Sequence, residues 1–217
     1  MKPAGSLKRV IVVSAIGLSL IGLGAFGLLV VRQAFLVARL EERIALLRPE
    51  SIPLRFQVLS RGGETVSARF GFYDMDGTRT AVFERSWNGA ELEVESIIVP
   101  VSGSFLVFPS RVFTDTTAAG RGTELFPYYD QDGFPTIFGS ARLDGQTRSA
   151  LVELFTEIKA FGRSDPPRKA GLLANFFRLR SFAGNAVYDT KRLRGFELGA
   201  GYALVAKSDG KIEIIRE

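Results

Sequence analysis

The spacing of apolar residues changes character twice along this chain. From Val10 to Val31, 22 residues carry no charge, and the run is bounded by Arg9 and Arg32. At the helical rise it spans about 33 Å, enough to cross a hydrocarbon core of about 30 Å. The pattern predicts a transmembrane helix. It is long for the apolar region of a cleaved leader and no small-x-small site follows it, so it reads as an uncleaved signal anchor.

A helical period continues beyond the run. Val30, Gln33, Val37, Leu40, Ile44 and Leu47 follow heptad spacing, Glu41 and Glu42 sit between Arg39 and Arg43, and Pro49 ends the pattern. Residues 32–49 are therefore expected as a juxtamembrane amphipathic helix. It would either pair two copies along residues 30–47 or lie against its own domain or the membrane.

From Ile52 the period becomes two. Ile52, Leu54, Phe56 and Val58 alternate with Arg55 and Gln57, and Val66, Ala68, Phe70 and Phe72 alternate with Ser67 and Arg69. Ala81 with Phe83, Leu92 with Val94, and the stretch Ser104 to Val112 continue the series. Arg61–Glu64, Asp74–Gly77 and Trp87-Asn88-Gly89 read as turns, the last as a type I′ hairpin. Five strands joined this way predict an antiparallel meander with one wet face. Later, Leu151, Leu154, Phe155, Ile158 and Phe161 share one helical face, with Thr147 as the expected cap and Gly162 as the expected end. Asp165 and Pro166 suit the start of another helix. Residues 172–182 fit either a helix or a strand. Tyr202–Ala206 and Ile212–Ile215 around Ser208-Asp209-Gly210 predict a closing hairpin.

Taken together the chain is expected to be α+β, mainly β. A short basic cytoplasmic tail occupies 1–9, the transmembrane anchor 10–31 and the juxtamembrane helix 32–49. A single extracytoplasmic domain follows over 50–217: an antiparallel, sandwich-like β-sheet with one or two helices.

Charge sharpens this layout. The net charge is +5, but residues 1–50 hold seven Lys/Arg against three acids, whereas residues 51–217 hold 21 against 20. The basicity thus flanks the apolar run, where headgroups favour it, and a nucleic-acid partner is not expected. The two flanks are almost equally positive. A short tail left in the cytoplasm with the domain exported is the expected orientation. The chain has no Cys and no His, which excludes disulfides, thiolate nucleophiles, Cys/His zinc sites and imidazole bases.

Few motifs carry chemistry. Asp74-Met75-Asp76-Gly77 and Asp130-Gln131-Asp132-Gly133 resemble fragments of a calcium loop, but neither supplies the remaining ligands, and both read as turns. Glu91, Glu93 and Glu95 read as a solvated strand face. The basic, Phe-containing stretch from Arg163 to Arg194 reads as a solvated face over core. The segment Phe113–Phe138 stands out as long, irregular and rich in stiff rings. Glu124, Phe126, Tyr128, Tyr129, Asp130, Asp132 and Phe134 are its candidate ligand- or partner-binding residues, unless the rings fold back to fill the core.

The resulting expectation is a single-pass inner-membrane envelope protein, in contact with the bilayer and with a membrane or envelope protein. It acts as an interaction or scaffold subunit, without catalysis, metal or cofactor. The alternative is an anchored module that binds a glycan, peptide or lipid through residues 113–138. A third reading, an envelope hydrolase, would draw two carboxylates from Glu124, Asp130 and Asp132.

Overall fold

The computed structural model describes residues 50–101, 104–117, 121–163, 187–192, 197–207 and 209–217. The apolar run 10–31, the heptad segment 32–49, the second helix start at Asp165 and the segment 172–182 lie outside the described residues. No helix among the described residues is long and apolar enough to cross a membrane.

The domain is mainly β and antiparallel throughout. Strands β1 (Ser51–Gly62), β2 (Thr65–Tyr73) and β3 (Arg79–Asn88) form the expected meander. β10 (Gly201–Ala206) and β11 (Ile212–Arg216) form the expected closing hairpin, which adds to the free side of β1. The sheet order is β11-β10-β1-β2-β3. A second sheet has the order β6-β5-β4-β9, from β4 (Leu92–Val101), β5 (Ser104–Thr114), β6 (Thr123–Glu124) and β9 (Val187–Arg192).

Register in the five-stranded sheet is pinned by rings. Tyr202, Phe56, Phe70 and Phe83 stand directly opposite one another on successive strands. Their ring centroids are 5.6, 5.9 and 5.3 Å apart, all stacked. Each cross-strand aromatic pair adds about 0.2–1 kcal/mol, and a slip of one residue would turn the whole row to solvent. The alternation therefore fixes which positions face outward: Arg55 and Gln57 on β1, and Arg69 and Gly71 on β2.

The meander does not extend to β4 and β5, which corrects the expectation of five strands in one meander. Asn88-Gly89 is a corner between the two sheets and not a two-residue hairpin. The Gly89 N–H donates to the Glu64 carbonyl, Thr114 Oγ1 donates to the Asn88 carbonyl at 2.6 Å, and Asp115 Oδ1 accepts from the amides of Ala90 and Glu91. The physical cause is β4 itself. Leu92, Val94, Ile97, Ile98 and Val99 are buried on both of its faces, so it cannot continue a sheet whose outer side is wet.

The expected solvated row Glu91, Glu93, Glu95 is also corrected at its last member. Glu95 is only 8% exposed, and its carboxylate accepts from Ser110 Oγ at 2.7 Å. Register shifts at this point, because Glu95 opposes Arg111 while Ser96 opposes Pro109. Pro109 has no N–H for the ladder, so a bulge absorbs Ser110 there and turns its hydroxyl onto Glu95.

The described residues between 113 and 138 form small elements. They are the end of β5, β6, the one-turn helix α1 (Phe126–Tyr129), the hairpin β7 (Asp130–Gln131) and β8 (Phe134–Pro135), and a 3-10 turn at Thr136–Phe138. Asp132 and Gly133 at the tip of that hairpin have φ values of 52° and 84°, the two positive angles that a type I′ turn requires.

Helix α2 (Gly145–Arg163) follows. Its N-cap is Asp144, not Thr147, because Asp144 Oδ1 accepts from the amides of Gln146 and Thr147 at 2.9 and 2.8 Å. Leu151, Leu154, Phe155 and Ile158 are fully buried, as the periodicity requires. They join residues of both sheets, α1 and the 3-10 turn in one hydrophobic core.

Candidate binding face

The aromatic segment lies largely in the core. Phe126, Tyr129 and Phe134 are buried, and Tyr128 packs at the core margin. Tyr128 stacks on Phe83 at 4.1 Å, Tyr129 lies 5.3 Å from Phe72, and Phe126 meets Phe155 edge-on at 5.6 Å. The Tyr129 hydroxyl donates to the Pro109 carbonyl at 2.8 Å. Burial raises its pKa well above the usual tyrosine value, and the nearby charges of Asp130 and Glu124 push it further up.

The acids of this segment do not converge on open space. Asp130 accepts from the Gly133 amide through Oδ1 and from Lys159 Nζ through Oδ2 at 2.6 Å. Asp132 is exposed at the hairpin tip. Glu124 is half-buried on β6, opposite Arg111. The Asp74 turn is likewise occupied by its own backbone, with Oδ1 accepting from the amides of Asp76 and Thr78. Among the described residues no group of three or more acids is placed to hold a metal ion.

A cleft of about 240 Å³ instead opens on the outer face of the five-stranded sheet. Arg55, Gln57, Arg69, Tyr73, Arg79 and Val82 line it, together with Gly71, Gly201 and Glu217. Its floor depends on Gly71. The Tyr73 ring folds back so closely that a Cβ at position 71 would sit 3.1 Å from it. The Arg55 guanidinium lies over that ring, 4.4 Å from the centroid, and its Nε is 2.9 Å from Glu217 Oε1. Arg69 reaches Glu84 Oε2 through both Nε and Nη2, at 3.0 and 2.9 Å. Gln57 donates to the Gly199 carbonyl.

These links are weak individually. The Arg55–Glu217 pair is 35% and 39% exposed. A solvent-facing pair of this kind contributes about 0–1 kcal/mol, and an exposed cation–π contact about 0.5–1 kcal/mol. The arginines are thus held in place without being strongly committed to their present partners. Val82, 50% exposed at one side, and Ile215, 44% exposed at the other, add apolar area to the same face.

Sequence alternation had placed Arg55, Gln57 and Arg69 on polar positions. That they converge depends on cross-strand register, which is not local information. Tyr73 and Arg79 had no distinguishing mark in the sequence, and Val82 showed only as an apolar residue on the face opposite Ala81 and Phe83. No family model, curated protein or solved structure matches the chain.

Proposed function

We propose that this chain is a single-pass, membrane-anchored interaction subunit of a larger assembly, working without catalysis of its own. Residues 10–31 form the anchor, with the tail in the cytoplasm and the domain on the outer side. Its two sheets pack as a sandwich-like body, and the outer face of the five-stranded sheet is the contact surface. The uninterrupted apolar run and its basic flanks support the anchor. One observation carries the contact surface: the rings of residues 126–134 are taken up by the core, whereas the sheet's outer face presents loosely held arginines beside exposed Val82. That is why the reading rests on the sheet face and not on the aromatic segment.

The test is site-specific photo-crosslinking of the full chain in its native membranes. A photo-reactive residue at Val82 is expected to give one discrete adduct with another protein, and the same residue at Asp132 none. No adduct from Val82, or equal adducts from both positions, refutes the reading.

A further inference from the structure

We propose that the outer face of the five-stranded sheet binds an extended, acidic segment of a partner protein, with carboxylates at alternate positions. These carboxylates pair with Arg55, Arg69 and Arg79, and the one that reaches Arg55 replaces Glu217. The proposal rests on the reading of this face as the contact surface and supplies its chemistry.

Three observations lead to it. First, the face already binds carboxylates: Glu217 lies on Arg55 and Glu84 on Arg69, each with an oxygen 2.9 Å from a guanidinium nitrogen. Both acids are side chains of this chain: the Arg69–Glu84 pair is about half exposed, and the Arg55–Glu217 pair is half-buried, with Glu217 on Arg55 where a ligand carboxylate would sit. Second, polar capacity remains. Among the described residues Arg79 has no acidic partner and the Tyr73 hydroxyl has no hydrogen-bond partner, yet both line the cleft. Arg69 uses only two of the five N–H donors of a guanidinium.

Third, the spacing fits an extended chain. Arg55 opposes Gly71 and Gln57 opposes Arg69, so Arg55 and Arg69 are diagonal neighbours on one face. Diagonal positions in a sheet lie about 7–8 Å apart, and alternate side chains of an extended strand about 7 Å apart. A Glu-x-Glu segment therefore meets both arginines without bending. Arg79, opposite Tyr73 on β3, lies beyond Gly71 for a further acid. The path crosses the Tyr73 ring, which lies over Gly71 and under the Arg55 guanidinium.

The experiment uses the full chain in nanodiscs of neutral phosphatidylcholine and a fluorescent (Glu-Ser)4 peptide, with (Gln-Ser)4 as the uncharged control. The acidic peptide is expected to bind, and the control is not. Arg69→Gln and Arg79→Gln should each weaken binding about tenfold, the worth of one charge-assisted contact. Glu217→Gln should tighten it severalfold, because the competing carboxylate is gone. Added salt should weaken it. Unchanged unfolding midpoints confirm that the variants fold.

The proposal is overturned if (Glu-Ser)4 does not bind, if (Gln-Ser)4 binds equally, if both arginine variants bind as the parent does, or if Glu217→Gln weakens binding. It is also overturned if vesicles of anionic lipid are captured through these arginines while the acidic peptide is not, since the face would then be a membrane contact. A Val82 adduct that persists without peptide binding removes only the acidic chemistry. Loss of the adduct removes the interaction-subunit reading as well.

Discussion

Tyr129 donates its hydroxyl proton to the carbonyl oxygen of Pro109 at 2.8 Å inside the core. This ties α1 to the strand over which it packs. Because burial and the neighbouring Asp130 and Glu124 raise its pKa, the folded state keeps this proton at pH values where the unfolded chain releases it. Stability is therefore fully present below the unfolded tyrosine pKa of about 10 and falls as pH rises above it. Urea unfolding at pH 8 and pH 11 should show a smaller loss in Tyr129→Phe than in the parent. At pH 8 the same variant should be about 1 kcal/mol less stable, through the lost hydrogen bond.

Phe155 is the central ring of α2, in contact with Phe108, Phe126 and Tyr129 at 6.0, 5.6 and 5.5 Å. It is fully buried. Phe155→Ala should cost about 3–5 kcal/mol, because three neighbouring rings from β5 and α1 cannot collapse into the space together. A lowered urea midpoint with near-UV dichroism lost at lower temperature is the expected readout.

Ser110 and Glu95 form a buried polar pair at the bulge. Ser110→Ala should destabilise by about 1–3 kcal/mol, since it deprives a buried carboxylate of a donor. In a double-mutant cycle with Glu95→Ala the two losses should not add. Additive losses would mean that the pair does not act as a unit.

Two glycines should respond oppositely to alanine. Gly89 has φ 128°, and a Cβ there would lie 2.6 Å from Thr114 Cβ, so Gly89→Ala should cost about 1–3 kcal/mol. Gly62 ends β1 with nothing within 4 Å of such a Cβ, and Gly62→Ala should stabilise by about 0.4–1 kcal/mol. Thermal unfolding of the two variants side by side checks both signs.

What could be read from sequence divides by range. Strands β1, β2, β10 and β11 and the buried face of α2 were legible, because burying one face imposes a period on nearby positions. That β4 and β5 leave the first sheet after Asn88-Gly89 was not. Whether Asn88-Gly89 closes a hairpin or turns a corner is decided by Thr114 and Asp115, some 25 residues away along the chain. The burial of Glu95 was hidden for a similar reason, since it follows from a bulge set by Pro109 on the neighbouring strand. For Phe126, Tyr129 and Phe134, composition identified stiff rings but carried nothing about direction. The face that gathers Arg55, Arg69 and Arg79 needed the aromatic register of the opposite side before it became visible.

The five-stranded sheet has an order of assembly built into it. β1 is flanked by β2 and β10, and Ser51 pairs with Ala206. Its partner on one side is ready almost at once, while the other is made some 150 positions later. At ribosomal speeds of about 5–20 residues per second, that is a delay of roughly 10–30 s. Throughout it, β1 presents a bare edge alongside Leu54, Phe56 and Val58, the arrangement most prone to pairing with a stranger. A nascent or shortened chain lacking β10 should therefore depend on chaperones far more than the finished protein does.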